Sequence, residues 1–494
     1  MRSHEAGALH AEGYGGPPLY LPYPPDVMAL LEPLWPSTVS RAADGRLTVG
    51  GVDVVTLAEE FGTAAYVLDE VDFRSRARGF KEAYAAAFEN VGGPADVYYA
   101  GKAFLCTAIA RWVMEEGLGL DVCTGGELAV AQRVGFPGER IGFHGNNKTV
   151  AELREALTYG VGRIVVDSFM EIERIREIAI ELGVRAPVMV RVTVGVEAHT
   201  HEFIATGHED QKFGFSLQSG EAFEACRQIL DAPQAFTLLG LHSHIGSQIF
   251  DTGGFELSAA RLMGLHVRIA EELAYHCPEM DLGGGYGIAY TSQHDPMSPT
   301  LLAEQMAHII EVEAKRLPAD ESGNLAIPRV SIEPGRAIVG PAMFTLYEVG
   351  TVKPVLLDGV HARTYVSVDG GMSDNARPAL YEADYSCTLA SRSSDAQPML
   401  ARVVGRHCEA GDIVVQDEYL PADIVPGDLI AVPGTGAYCR PLSSQYNHTP
   451  RPPVLAVRDG RARVIVRRET IEDLLALDVD DTDDLLVAEH PRSS

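Results

Sequence analysis

The sequence contains few cysteines, and none of them follows a paired pattern. Seven Cys occur among 494 residues, at positions 106, 123, 226, 277, 387, 408 and 439, and no Cys-x-x-Cys pair is present. An odd, scattered set argues against a disulfide framework, and the missing pair argues against a zinc ribbon. We therefore expect a protein of the reducing cytoplasm.

Basic charge and long apolar runs are scarce as well. Lys and Arg total 40 against 69 Asp and Glu, so the net charge is −29, which argues against a nucleic-acid surface. No apolar run reaches the roughly 18 residues of a membrane span, and the first residues lack a secretory-signal pattern. The remaining composition, 46% hydrophobic and 22% charged, is typical of a globular enzyme. We expect neither nucleic acid nor a membrane as a partner.

The composition and hydrophobic pattern of the chain change three times along its length. These changes predict four parts. Residues 1–45 are rich in Gly, Pro and Tyr and predict an irregular arm. Residues 46–71 predict a short segment that contributes strands to a β-domain. Residues 72–340 alternate strand-like and helical runs, whereas β-branched alternation over 341–494 predicts an all-β domain of sandwich or barrel type. That domain ends in an acidic tail at 478–484.

Eight strand-like runs in the third part predict a TIM-like α/β barrel of eight parallel strands. Helical spacing separates the runs, for example at 104–116 and 169–182. A doubly wound open sheet is the alternative, but no Gly-x-Gly-x-x-Gly follows the first strand. The predicted strands lie at 97–100, 118–122, 140–143, 163–166, 187–194, 236–242, 279–282 and 329–332.

Polar motifs follow the carboxyl ends of six predicted strands, the end where functional residues of parallel barrels collect. A lysine there can form a Schiff base with an aldehyde cofactor, and a glycine triplet lets backbone N–H groups approach a phosphate. Together they suggest pyridoxal-phosphate chemistry. The motifs are Lys102, 124–127, 144–148, 244–247, the triplet 283–285, and 333–336.

Histidines near these motifs raise the question of a metal. His242 and His244 are two residues apart, and His199 and His201 repeat this spacing. No acidic or thiol partner lies at ligand spacing beside either pair, so we expect no metal.

Eight short motifs, in this order, resemble the diaminopimelate decarboxylase family: YYAGKAF, HGNNK, HSHIGSQ, DLGGGYG, EPGR, GRHCEAGD, GAYC and RRET. The resemblance runs from about residue 46 to 486. It implies a fold-type III, alanine-racemase-like enzyme with pyridoxal 5′-phosphate as cofactor. It also implies decarboxylation of meso-2,6-diaminopimelate to L-lysine, the last step of lysine biosynthesis, in a homodimer with shared active sites.

The resemblance implies a set of cofactor contacts. Lys102 would carry the cofactor as an imine, and His244 would stack on its ring. Glu333 would face the pyridine nitrogen, where a carboxylate favours the protonated ring. The full implied set is Lys102, His244, Ser247, Gly283, Gly284, Gly285, Glu333, Pro334, Gly335, Arg336 and Tyr438.

The resemblance also implies substrate contacts and a proton donor. Arg336 and Arg377 would grip the distal carboxylate with paired hydrogen bonds. A hydroxyl from Tyr381 would assist, Glu409 would pair with the distal ammonium, and Tyr438 would touch both phosphate and substrate. Cys408 would reach the neighbouring subunit's cofactor and reprotonate the substrate carbon, a task for which a thiol of near-neutral pKa is suited.

Two departures and several rival readings accompany the resemblance. Thr124 stands where the family usually has serine, and Arg440-Pro441-Leu442 replaces the usual Ser-Met, which affects the expected pocket near Tyr438.

A decarboxylase of ornithine, arginine or carboxynorspermidine is the main alternative function. Such enzymes usually carry a Cys-Asp pair where this chain has Cys408-Glu409, and they have no need for Arg377. An alanine racemase would use a tyrosine as second acid, and a non-catalytic pyridoxal-phosphate carrier would lack the long β-domain.

Overall fold

Short, mostly buried strands form a closed parallel barrel in the computed structural model, which describes residues 21–195, 212–317, 327–356 and 362–479. Each barrel strand pairs with the next, and the eighth pairs with the first, as Val330 does with Ala95. The predicted fold class is confirmed. In order, the barrel strands are Ala95–Ala100, Gly119–Val122, Ile141–Phe143, Arg163–Val166, Ala186–Thr193, Phe236–His242, Glu279–Asp281 and Arg329–Ile332.

Helices cover the outside of the barrel, and several carry sequence-encoded caps. Thr149 and Glu152 form a capping box, and Ser168 and Ser298 cap two other helices with their hydroxyls. The predicted helix at 104–116 begins only at Thr107, because Cys106 is extended. The helices around the barrel are Glu70–Val91, Thr107–Glu115, Gly125–Arg133, Val150–Tyr159, Phe169–Leu182, Glu221–Leu230, Gly253–Leu273, Pro299–Ala314 and Arg336–Val339.

A second sheet combines a strand that precedes the barrel in the sequence with strands that follow it. Its long strand Met343–Leu356 pairs with Ala65–Asp69 and Leu429–Pro433 through its first half and with Ala362–Val368 through its second. Ala65–Asp69 also lies parallel to Val454–Arg458, so a strand preceding the barrel is built into this sheet. The other strands of this domain are Thr388–Leu389, Pro398–Val404, Ile413–Pro421 and Arg461–Val466, and its short helices are Arg377–Tyr381 and Ile471–Leu475.

The described part of the N-terminal arm packs on this β-domain. The Trp35 ring lies 6.0 Å from that of Phe344, and Arg41 Nη1 donates to the Leu389 carbonyl at 2.9 Å. Strands Ser40–Arg41, Leu47–Val49 and Val52–Asp53 form a small antiparallel sheet, followed by helix Val54–Phe61. The first 20 residues, His199, His201 and the tail from residue 480 lie outside the described residues. Within the described part of the chain, none of the helices combines the length and apolarity that a bilayer crossing needs.

Candidate active site

Two adjoining cavities open at the carboxyl ends of the barrel strands. Their volumes are about 490 and 410 Å³, and Ala100, Lys102, His244 and Glu333 line both. The larger cavity is lined by most of the site residues predicted from the sequence, some from the barrel and some from the β-domain. These are Lys102, His244, Ser247, Gly285, Glu333, Gly335, Arg336, Arg377, Tyr381 and Tyr438.

Lys102 stands on a tight turn directly after the first barrel strand. The turn Gly101–Ala103 is a 3₁₀ helix, and a Cβ at Gly101 would lie 2.7 Å from the Asp121 carbonyl oxygen. The β-domain holds the turn in place, since the Tyr438 N–H donates to the Ala103 carbonyl at 2.8 Å. Tyr438 has a positive φ of 68°, a strained conformation for a bulky residue and one that often marks functional sites. The lysine amine therefore faces the cavity from a fixed support.

The glycine triplet brings the seventh strand's loop against the loops of its neighbours. Gly283 and Gly285 have φ of 69° and 110°, and a Cβ on Gly285 would lie 2.5 Å from the Gly246 carbonyl oxygen. At Gly284 a Cβ would lie 2.2 Å from the Glu333 carbonyl oxygen. The triplet thus fixes the sixth, seventh and eighth loops relative to one another. Its contact with a phosphate stays a prediction.

Glu333 is buried at the junction of the two cavities and is contacted by two imidazoles. His242 Nε2 lies 3.0 Å from Glu333 Oε1, at hydrogen-bond distance, and His144 Nε2 lies 3.3 Å from the same oxygen. Burial raises the pKa of Glu333, an effect that the nearby His144 opposes. Burial also lowers the pKa of both histidines, so they are neutral near pH 7. A carboxylate in this position is suited to a cationic ring nitrogen.

The same three residues bear on the prediction that the site holds no metal. The donor atoms of His144, His242 and Glu333 lie within 4.8 Å of one another, a spacing compatible with a metal ion. Spacing along the sequence did not reveal this trio, because its members come from three different strand ends. The absence of a metal stays a prediction.

His244 is held as a neutral ring with a defined orientation. Its Nδ1 accepts a hydrogen bond from the Gly284 N–H at 3.2 Å. Burial lowers the pKa of His244 well below its usual value, and the nearby positive charge of Lys102 adds to the effect. A fixed, uncharged imidazole beside Lys102 is suited to covering the face of an aromatic ring.

Arg336 supplies a buried cation to the larger cavity. Its Nη1 donates to the Tyr290 hydroxyl at 2.5 Å and its Nη2 to the Ser247 hydroxyl at 2.8 Å. Its Nε is buried and, among the described residues, has no hydrogen-bond partner. Because a buried donor without a partner is costly, this N–H indicates a site that an anion completes.

Arg377 brings a second guanidinium into the cavity from the β-domain. It opens the short helix Arg377–Tyr381 and is almost fully buried. Its Nη1 donates to the Tyr385 hydroxyl at 2.6 Å, and its guanidinium carbon lies 4.6 Å from the centre of the Tyr290 ring. Two arginines with aromatic neighbours therefore share one cavity, an arrangement suited to the recognition of a carboxylate.

Cys408 and Glu409 do not join this site within one chain. Neither is among the described residues that line the two cavities, and Cys408 is exposed. The loop is nevertheless held in place, because Asn447 Oδ1 accepts from the Cys408 N–H at 3.2 Å and Asp412 accepts from the His407 N–H at 2.7 Å. The thiol is thus presented to the outside of the chain on a braced loop.

The two departures from the family pattern have local explanations. Thr124 caps the helix Gly125–Arg133, accepting from the Glu127 N–H at 3.3 Å, a role that serine also fills. Arg440 bonds to Ser443, with Nη1 3.2 Å from the serine hydroxyl, and Leu442 is 40% exposed. Neither Arg440 nor Leu442 is among the described residues lining the cavities.

Sequence reasoning gave no role to three residues that the fold brings to the site. His144 is the first residue of a motif at a strand end, and that position could have indicated a role in the site. His242 belongs to a motif in which the predicted site residues were His244 and Ser247. Tyr290 carried no signal, since it lies in an irregular stretch after the glycine triplet. Lys148, from the motif of His144, is structural: its Nζ is buried and bonds to Glu171 Oε1 at 2.9 Å.

The barrel and its strand-end groups define a class of enzyme. Residues 73–340 match the family model described as pyridoxal-dependent decarboxylase, pyridoxal binding domain. This range contains all eight barrel strands together with Lys102 and Glu333. The cavity also fits the cofactor of this class, pyridoxal phosphate, through the Lys102 amine, the buried Glu333 carboxylate and the Gly285 backbone, where a Cβ would lie 2.5 Å from the Gly246 carbonyl oxygen. The protein is of the pyridoxal-phosphate-dependent class.

Relatives that match over nearly the whole chain identify the family within this class. The diaminopimelate decarboxylase of Mycobacterium leprae is 51% identical over 488 residues, covering 97% of this chain and all of the relative. That of Mycobacterium tuberculosis is 53% identical over 461 residues, covering 92% and 99%. The crystal structure of diaminopimelate decarboxylase from M. jannaschii with L-lysine has a TM-score of 0.83 at 31% identity, covering 90% and 99%. The chain belongs to the diaminopimelate decarboxylase family.

Proposed function

We propose that the protein removes carbon dioxide from meso-2,6-diaminopimelate to give L-lysine, the last step of lysine biosynthesis. The observation that carries the proposal is the pair Arg336 and Arg377 in one cavity with Lys102 and Glu333. A substrate with two carboxylates loses one at the cofactor and keeps the other, which needs a cation of its own. The full-length relatives named for this reaction support the same conclusion.

The residues around the cofactor have two roles: they attach and orient it, and they set the electronic properties of its ring. When bound, pyridoxal phosphate supplies a conjugated ring that accepts the electron pair left behind by the departing carbon dioxide. We assign to Lys102 the attachment of the cofactor and to Glu333 the contact with its ring nitrogen. His244 covers the ring face, and Ser247 with the glycine triplet 283–285 holds the phosphate. The neutral state of His244 suits this role, because a charged imidazole would compete with the ring for the carboxylate.

We further propose that the active enzyme is a homodimer with shared sites. After decarboxylation the substrate carbon needs a proton, and Cys408 is the thiol that the family resemblance assigns to this step. It is exposed and is not among the described residues that line the two cavities of its own chain. The partner subunit's Cys408 therefore delivers the proton, and the partner subunit's Glu409 pairs with the distal ammonium.

A decarboxylase of ornithine, arginine or carboxynorspermidine fits the cavity less well. Ornithine and arginine end in a cation, which Arg377 would repel across a low-dielectric space. A buried guanidinium facing such a side chain would also lack a counter-charge. The position of Arg377 in the cavity thus favours a substrate whose far end carries a carboxylate.

We place the enzyme in the cytoplasm. All seven cysteines are free thiols in the described residues, as expected in a reducing compartment. The acidic composition, with a net charge of −29, fits an enzyme of small metabolites better than a partner of nucleic acid.

The substrate assignment is tested by carbon dioxide release from a panel of amino acids. Purified enzyme loaded with pyridoxal phosphate is offered meso-diaminopimelate, ornithine and arginine, with Lys102→Ala as the inactive control. We expect release from diaminopimelate alone among the three. Faster release from ornithine or arginine contradicts the proposal.

The shared site is tested by complementation between two inactive variants. Cys408→Ala and Lys102→Ala are each expected to have little activity as homodimers. If each site uses Lys102 of one subunit and Cys408 of the other, mixed dimers contain one site with both residues intact. Mixing should therefore restore part of the activity, and a mixture that exchanges subunits but stays inactive refutes the shared site.

A further inference from the structure

Tyr290 joins the two arginines of the larger cavity. Its hydroxyl oxygen accepts from Arg336 Nη1 at 2.5 Å, and its ring lies 4.6 Å from the guanidinium carbon of Arg377. It is 3% exposed and lines the cavity. One side chain thus contacts one cation through its edge and the other through its face.

The Tyr290 ring is held rigidly from several sides. The Tyr385 ring packs against it edge-on at 5.1 Å, and its backbone N–H donates to His294 Nδ1 at 3.3 Å. A Cβ at Gly434 would lie only 3.1 Å from the Tyr290 ring, so the ring rests directly on that glycine. The position of the phenol is therefore fixed before any substrate enters.

This arrangement addresses an electrostatic problem. Two buried guanidiniums repel each other, and the repulsion is strong where water is excluded. An aromatic face stabilises one cation, and a phenol oxygen accepts from the other. Since the oxygen accepts from Arg336, the phenol hydrogen remains to be donated into the cavity, towards an anion. The buried Nε of Arg336, which no described residue accepts from, points to the same kind of ligand.

We propose that Tyr290 is a positioning residue that determines specificity: it holds Arg336 and Arg377 at the spacing that grips a carboxylate at the far end of the substrate. The inference rests on the proposed function, because it identifies that carboxylate as the distal one of diaminopimelate. It goes further in assigning the selection of dicarboxylic substrates to a residue that acts through both arginines.

The test compares ligands that differ in the distal carboxylate. L-lysine, the product, retains that carboxylate, whereas D-lysine presents the reacting carboxylate and a distal ammonium only. For Tyr290→Phe we expect the KM for meso-diaminopimelate and the inhibition constant of L-lysine to rise about tenfold, the loss of one hydrogen bond to a charged group. The inhibition constant of D-lysine and the visible absorption of the bound cofactor should not change.

A matched control separates this effect from a general loss of packing. Tyr159→Phe also removes one phenol hydrogen bond, to the Phe136 carbonyl at 2.7 Å, but outside the site, and should leave all constants unchanged. Equal weakening of L-lysine and D-lysine by Tyr290→Phe, or no weakening of either, overturns the inference. Absence of carbon dioxide release from diaminopimelate by the wild-type enzyme instead overturns the proposed function.

Discussion

Replacing Gly284 with alanine tests whether the glycine triplet fixes the position of Glu333. The added Cβ would lie 2.2 Å from the Glu333 carbonyl oxygen and 3.1 Å from its carbonyl carbon. The Glu333 N–H also donates to the Gly283 carbonyl at 2.9 Å, so the two loops are tied together at this point. The clash cannot be relieved by rotating a side chain, because the atoms that it meets first are backbone.

The size of the effect follows from the displacement required. An ordinary carbon–oxygen contact needs about 1 Å more than the space available, and overpacking of this kind costs about 1–3 kcal/mol in stability. A misplacement of about 1 Å in a catalytic group can cost about 100-fold in rate. We therefore expect Gly284→Ala to lower kcat about 100-fold and to weaken cofactor binding, with a smaller loss of stability.

The assay combines cofactor titration with activity. Apoenzyme is titrated with pyridoxal phosphate by visible absorption, kcat is measured at saturating cofactor, and thermal unfolding is followed by circular dichroism. Gly79→Ala is the matched control, because Gly79 lies in the helix Glu70–Val91 and no atom of the described residues lies within 4 Å of its added Cβ. That control should gain up to about 1 kcal/mol of stability and keep full activity.

Two outcomes bear on the reasoning. Normal cofactor affinity and kcat in Gly284→Ala would mean that the loops adjust freely, and the rigid junction described above would be wrong. Loss of activity in proportion to a loss of folded protein would indicate a folding defect and not a displaced carboxylate.

Two further predictions concern other parts of the chain. Arg377→Ala should reduce diaminopimelate turnover far more than cofactor binding, and equal losses in kinetics and cofactor titration would point to misfolding. His266 is buried, accepts from the Cys277 N–H at 2.9 Å and has its pKa lowered to about 4, chiefly by burial. Because the unfolded chain takes up this proton near pH 6.5, stability falls as pH drops below that value, by about 2 kcal/mol from pH 7 to pH 5. In urea titrations at both pH values His266→Gln should lose less stability on acidification than wild type, and an equal loss contradicts this.

The barrel strands and the site residues that directly follow them were predictable, because both depend on the local hydrophobic pattern of the sequence. The buried runs of the barrel are continuous in the sequence, and Lys102, the glycine triplet and Glu333 each follow one of them directly. Parallel topology then places these groups at one end of the barrel without further information. The arginine of the β-domain, Arg377, was identified only through family resemblance, because no rule of spacing connects it to a barrel strand.

The sequence pattern could not predict contacts between segments that are distant in the sequence. His144 and His242 meet Glu333 only after the barrel closes, and each belongs to a motif interpreted without the others. Tyr290 shows the limit most clearly, since its irregular segment has no period and its partners Arg336 and Arg377 lie in different elements.

The amino-acid sequence determined the architecture and the family of this protein, because periodicity, turn residues and ordered motifs are properties of neighbouring residues. The tertiary structure decided which charges are buried together, in which direction burial shifts the pKa of Glu333 and of its two imidazoles, and that Cys408 is not among the described residues lining the two cavities of its own chain. These properties depend on desolvation and on distances between separate segments, and both exist only once the chain has folded.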